Sequence, residues 1–404
     1  MNKSETLARH WLTQREVRLR WADGVITGLE ELPGLEPQPV RWWLAPGLFD
    51  VQVSGYAGVD FQRDEPGAGA LLEAVRGLRA AGCLRFLLTL MTDEWSRLTA
   101  RLRRLRALRA QSLELRAAIA GWHIEGPFLS AEPGFHGAHD PALMLDPRPE
   151  HIHELRSLTE TDPLLITLAP ERPGALGGIA LAASLGARVS LGHTDASADV
   201  LARAAAAGAT GFTHLGNACP QALDRHDNIL WRVLDGPELH VSLIPDRLHV
   251  SPPFLRLAHR LLPAHRIVHT TDAVAAAGAA PGRYTVGRMI VEVGADQVVR
   301  QPGRTNFAGS ALRPIEGVAR AAEMIGRPWH ELWRHLSQVP ADWMGISAGL
   351  AVGDRADFCL IDPAEDGRIR RLRVFVGGRE AEERPMDLLD GKARQPGLGF
   401  EQAD

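Results

Sequence analysis

Glu125, His193, His214 and Asp272 each stand at the close of an apolar run. The local stretches read His123-Ile124-Glu125-Gly126-Pro127, Leu191-Gly192-His193-Thr194, Phe212-Thr213-His214-Leu215-Gly216-Asn217 and His269-Thr270-Thr271-Asp272-Ala273. One carboxylate and two imidazoles are the protein ligands of an open catalytic site for zinc or a similar divalent ion. The fourth position is left to water, whose pKa such an ion lowers toward ~7. Asp272 is then free to move protons. A lone histidine at a strand end is more often a hydrogen-bonding residue than a ligand. The reading gains weight because four such groups close four of the eight runs of one pattern. Two other chemistries lack their partners. His123-Ile124-Glu125 has the HxE of zinc nucleobase deaminases, but no PCxxC follows, and no GxSxG offers a nucleophile elbow.

The elements that would carry these groups repeat along the chain. Apolar runs occur at Pro46–Val53, Leu84–Leu90, Ala120–Glu125, Leu164–Ala169, Arg188–His193, Thr210–His214, His240–Ile244 and Arg266–Asp272. Between them lie Ala/Leu/Arg-rich segments of helical periodicity, such as Pro66–Ala81, Glu94–Ala118 and Ser197–Ala207. Eight strand–helix alternations imply parallel strands and predict a (β/α)8 TIM-type barrel, with the C-terminal strand ends gathered at one mouth. The chain ends differ. Short alternating strands with turn signals (VRLRW and GVITGLE before Pro46, ADFCLID and LRVFVGG after Ala351) predict a small β-sandwich domain built from both ends. The expected division is 1–45 plus 351–404 for the β domain and 46–350 for the barrel.

Composition narrows the chemistry further. Lysine occurs only at Lys3 and Lys392, and every other basic side chain is arginine. No ammonium is therefore placed inside the barrel for a Walker phosphate loop, a kinase-type ATP site, a pyridoxal Schiff base or a modified bridging lysine. The 404 residues carry a net charge of −4, with no apolar run long enough to span a bilayer. A charged N-terminal stretch and three scattered cysteines lead us to expect no secretory signal and a cytoplasmic setting. The run Arg101–Arg109 puts Leu102, Leu105 and Leu108 on one stripe, as the outer helix of a barrel does. We expect neither nucleic acid nor membrane as a partner.

An ordered set of motifs resembles the N-acetylglucosamine-6-phosphate deacetylase family of the amidohydrolase superfamily, from about Leu44 to Asp362. It comprises LAPGLFDVQVSGYAGVDF, HIEGPFLS with GAHDP after it, ITLAPE, SLGHTDAS, GFTHLGNACP, LIPDRLHV, HTTDAVAAAG with GRYTVG, AGSAL and GLAVGDRADFCLID. The resemblance implies hydrolysis of the N-acetyl amide of N-acetylglucosamine 6-phosphate to glucosamine 6-phosphate and acetate. Carried over residue by residue, it makes Glu125, His193 and His214 the metal ligands and Asp272 the general base and acid. His139 would polarise the substrate carbonyl and His249 contact the sugar. Asn217 and Ala218 would lie near the phosphate, and Arg225 stands where the family places a phosphate-binding arginine. One divalent ion per subunit, zinc before Fe, Co or Mn, and a homodimer are implied as well.

The chain departs from the family at several points. Where many amidohydrolases carry HxH at the end of strand one, this chain has Gln52-Val53-Ser54, which argues against a second metal. His226-Asp227-Asn228 replaces the usual Glu-Pro-Gly after Arg225. Gly216 replaces an aromatic, and Gly134-Phe135-His136 stands where basic residues are common. These changes fall on the phosphate and sugar side. They leave open another N-acetylhexosamine phosphate, such as N-acetylgalactosamine 6-phosphate, or an unphosphorylated N-acyl compound. A sugar-phosphate binding protein on an inactive barrel is the reading from another class, and the intact Glu125/His193/His214/Asp272 set speaks against it.

Overall fold

A computed structural model describes residues 3–32, 41–303, 307–347 and 349–381; residues 1–2, 33–40 and 382–404 of the expected β domain lie outside the described residues. Eight parallel strands follow one another around a sheet in chain order: β1 (Leu48–Val53), β2 (Cys83–Met91), β3 (Ile119–Glu125), β4 (Leu164–Leu168), β5 (Arg188–Leu191), β6 (Gly211–Phe212), β7 (His240–Leu243) and β8 (Ile267–His269). Each coincides with one apolar run of the sequence. Their near-continuous burial is what a sheet covered by helices on one face and closed on itself requires.

The barrel seam closes by side chains as much as by backbone. β8 meets β1 through one bridge, Val53 to Ala273, where the Ser54 N–H donates to the Ala273 carbonyl at 2.7 Å. Below it the buried Asp50 carboxylate takes the place of a ladder. It accepts from the Thr270 hydroxyl at 2.5 Å, from the Thr271 hydroxyl at 2.6 Å and N–H at 3.0 Å, and from the Gln52 N–H at 3.1 Å.

Around the barrel, helices Ala68–Ala80, Trp95–Ala110, Pro149–Thr159, Ala175–Ser184, Ala198–Ala206, Pro252–Leu261 and Pro314–Ile325 turn their apolar stripes to the strands. The single helix expected over Glu94–Ala118 is two. It breaks at Gln111, and Ser112 caps Leu113–Ala118 by accepting from the Leu115 N–H. The arginine run lies on the first of these helices. Leu98, Leu102 and Leu105 are buried, while Arg97, Arg101, Arg106 and Arg109 pair with Glu94, Asp64 and Asp93, Glu160, and Asp162. No helix among the described residues is long and apolar enough to cross a membrane.

The two chain ends form a β domain. Seven strands make one sheet in the order Arg379–Glu380, Ile369–Val376, Phe358–Pro363, Trp43–Pro46, Lys3–His10, Glu16–Ala22, Val25–Glu31. Trp21 touches Phe358 with ring centroids 5.2 Å apart although two strands separate theirs, so the sheet curls until its wings face each other. Alternate residues fill the space between them: Val17, Leu19, Trp21, Leu44, Phe358, Leu360 and Phe375. A three-stranded antiparallel sheet (Gly282–Val286, Met289–Val293, Val299–Arg300) follows β8, an insertion that the strand–helix count passed over.

Candidate active site

The strands end before the chemistry begins. β5, β6 and β8 stop at Leu191, Phe212 and His269, shorter than the runs through His193, His214 and Asp272 suggested. Those three residues take positive φ values of 52°, 35° and 51°. Each such backbone costs on the order of 1–3 kcal/mol for a side-chain-bearing residue. The chain thus leaves the pleat at the three candidate site residues.

Glu125, the last residue of β3, meets the two histidines across the barrel. Its Oε1 lies 3.1 Å from His214 Nε2 and 3.4 Å from His193 Nε2, and the two Nε2 atoms are 3.2 Å apart. All three side chains are buried, at 3 %, 4 % and 5 % exposure for Glu125, His214 and His193. They are the one group of His, Cys, Asp or Glu among the described residues that converges closely enough to hold a metal ion. The His193 Nδ1–H donates to the Phe135 carbonyl at 2.9 Å, which leaves the Nε2 lone pair facing the cluster. Two imidazole nitrogens and a carboxylate directed at one point fit a divalent ion of the zinc type.

Electrostatics agree with the geometry. Burial works against the Glu125 charge, but the His193 and His214 imidazoles beside it hold the carboxyl well below the usual range. Burial likewise opposes a charge on His214, and Glu125 outweighs it, raising that imidazole. Asp272 is half-buried. Burial, with the Glu125 charge nearby, pushes its carboxyl up to about 7. A carboxyl so placed can take and return a proton near neutral pH.

His139, in the loop after β3, reaches the same place. Its Nε2 is 3.7 Å from Glu125 Oε2, and its ring stands edge-on to His193 at 4.7 Å. Burial, then the neighbouring His193, pushes its pKa down to about 3, so the ring is neutral. His249 is held by Asp246, Nδ1 to Oδ2 at 2.6 Å, while Asp246 Oδ1 accepts from the backbone N–H groups of Leu248 and His249. Burial opposes the His249 charge, and Asp246 overcomes it, raising the imidazole. Asn217 and Ala218 lie three and four residues after His214; the Asn217 side-chain amide donates to the His214 carbonyl at 3.1 Å, and Ala218 has φ of 48°. Arg225 is exposed and has no ion pair among the described residues, so its guanidinium is unengaged.

Three contacts escape sequence reasoning. Gln52 turns its amide nitrogen to Glu125 Oε1 at 2.8 Å, the only orientation that a carboxylate tolerates. It is thus a support for Glu125 where the HxH motif would bring imidazoles, and Ser54 is buried without a hydrogen-bond partner for its hydroxyl. Thr92 bonds His139, and Asp246 bonds His249. His123 is a packing residue under the mouth. Its Nδ1–H donates to the Val51 carbonyl at 3.0 Å, and Nε2 joins the Thr167 and Thr213 hydroxyls in the barrel interior.

No family model matches the chain. It is 32% identical over 334 residues to N-acetylglucosamine-6-phosphate deacetylase of Mus musculus, covering 79% of each chain. It is 30% identical over 355 residues to N-acetylgalactosamine-6-phosphate deacetylase of Escherichia coli O157:H7, covering 87% of this chain and 92% of that one. The N-acetyl-D-glucosamine-6-phosphate deacetylase of Mycobacterium smegmatis, solved as an aspartate-to-alanine mutant with N-acetyl-D-glucosamine 6-phosphate, superposes with a TM-score of 0.81 at 29% identity, over 93% of this chain and 99% of that one. With this barrel, its β domain and the Glu125/His193/His214 cluster, the chain belongs to the N-acetylglucosamine-6-phosphate deacetylase family of the amidohydrolase superfamily.

Proposed function

We propose that the protein hydrolyses the N-acetyl amide of N-acetylglucosamine 6-phosphate, releasing acetate and glucosamine 6-phosphate. The observation that carries this is the convergence of Glu125, His193 and His214 beside an aspartate whose carboxyl titrates near neutrality. A divalent ion held by those three, zinc on this donor set, supplies Lewis-acid activation of water. Asp272 as carboxylate takes the proton of the attacking water while its oxygen adds to the amide carbon. It then gives that proton to the nitrogen as the C–N bond breaks, so the amine leaves neutral. His139 donates from Nε2 to the carbonyl oxygen as charge grows there.

His249, fixed by Asp246, faces a sugar hydroxyl or phosphate oxygen. Asn217, Ala218 and the unengaged Arg225 contact the ligand near its phosphate. We assign the enzyme to the cytoplasm as a homodimer, in keeping with the reduced cysteines and the family.

The test is amine release by metal-reconstituted protein from N-acetylglucosamine 6-phosphate, from the same sugar without phosphate, and from N-acetylgalactosamine 6-phosphate. Preference for the first is expected. A higher kcat/KM on either of the other two would replace the substrate. Release from none of them with metal bound would overturn the reading.

A further inference from the structure

We propose that Thr92 is a positioning residue that fixes the imidazole of His139 as its Nε2–H tautomer, and so makes His139 a hydrogen-bond donor in the hydrolysis proposed above. The role rests on that reaction for its kinetic consequence, but the tautomer itself rests on geometry alone.

Thr92 follows directly on β2, whose last residue, Met91, is level with Glu125 in the ladder between β2 and β3. Its side chain therefore stands at the rim of the mouth. Its hydroxyl lies 2.7 Å from His139 Nδ1 and has no other hydrogen-bond partner among the described residues. Two arrangements satisfy that distance. In the first, the hydroxyl donates to Nδ1, and the ring proton sits on Nε2, facing the Glu125 carboxylate 3.7 Å away. In the second, Nδ1–H donates to the hydroxyl. The threonine proton is then left without a protein acceptor, and the bare Nε2 lone pair faces an anion. Only the first arrangement turns an N–H edge, rather than a lone pair, toward the carboxylate, and the proton on one ring nitrogen is set by the bond at the other.

Gly126 belongs to the same device. It follows Glu125 at φ +82°, and a Cβ there would stand 2.2 Å from the Thr92 hydroxyl oxygen. The glycine thus keeps open the space through which Thr92 reaches His139. A ring held as the Nε2–H tautomer can only donate from that nitrogen, which suits a carbonyl oxygen and does not suit a fourth metal ligand.

The experiment combines kinetics with 15N NMR of histidine-labelled, metal-loaded protein, the His139 signals being identified by their loss in His139→Gln. We expect the Nε2–H tautomer for His139 in wild type and a mixture in Thr92→Val. That variant should keep its metal content and melting temperature, lose about 10- to 100-fold in kcat and hold KM within about twofold. Thr92→Ser, which restores the hydroxyl, should recover both the tautomer and the rate. An Nδ1–H tautomer in wild type overturns the proposal, as does a Thr92→Val enzyme that turns over at the wild-type rate. The tautomer is read without substrate, so a wild-type protein that deacetylates none of the three sugars defeats the proposed function and leaves Thr92 to be judged by NMR.

Discussion

Asp272 and Glu125 are carboxyl groups within one mouth, and their surroundings shift their titration in opposite directions. The imidazoles beside it hold the Glu125 carboxyl well below the usual range, whereas burial and the Glu125 charge push Asp272 up to about 7. Asp272→Asn should retain the metal, measured by atomic emission on the dialysed protein, and lose roughly 10²–10⁴-fold in kcat. Near-wild-type turnover in that variant would remove Asp272 from the mechanism. Gln52 bears on the metal instead. Its bond to Glu125 Oε1 orients the carboxylate, so Gln52→Ala should weaken divalent-ion affinity about 10- to 100-fold in equilibrium dialysis. An unchanged Kd would mean that Glu125 orients itself. The sequence made Glu125, His193, His214 and Asp272 legible because each closes an apolar run. It could not show Gln52 on Glu125 or Thr92 on His139. Those contacts span 73 and 47 residues and exist only once the strands stand side by side.

The strands themselves were legible as elements and misread at their ends. Periodicity and apolar content carry through His193, His214 and Asp272, but positive φ at these residues is a local backbone event without a hydrophobic signature. The same limit hid the break at Gln111, where a serine cap interrupts a helical pattern that composition alone continues. The barrel seam gives a prediction at this scale. Asp50 accepts three hydrogen bonds from the end of β8, in place of a backbone ladder, and a fourth from Gln52 within its own strand. Asp50→Ala should lower the unfolding free energy by about 3 kcal/mol or more, since several buried donors lose their acceptor together. Urea titration measures this, and a loss under about 1 kcal/mol would show the seam to be held elsewhere.

For the molecule as a whole, acid is the expected weakness. His259, His269 and His335 cluster between β8 and the helices behind it, with His259 Nε2 and His269 Nε2 3.0 Å apart and the His335 Nδ1–H donating to the Ile267 carbonyl. Burial, with each histidine opposing charge on its neighbour, pushes His259 down to about 3 and His269 well below its ordinary value. Burial and the adjacent Arg334 push His335 down to about 4. Unfolded histidines take up protons near pH 6.5, native His259 and His335 only near 3–4, so the stabilisation is complete above 6.5 and is lost as pH falls from there toward 4. Each contributes a slope of about 1.4 kcal/mol per pH unit across that window. Urea midpoints should therefore drop steeply between pH 6.5 and 5, and a flat profile would mean that the cluster is charged in the native state. The curled sheet of the β domain sets a schedule as well as a shape. Trp43–Pro46 lies between Lys3–His10 and Phe358–Pro363, so one of its edges has no neighbour until more than three hundred further residues have been translated. At ribosomal speed that is a wait of tens of seconds, during which the nascent chain shows a raw strand edge and the tryptophans beside it. Chaperone capture during synthesis should fall on this segment, and it should end when Phe358–Pro363 emerges.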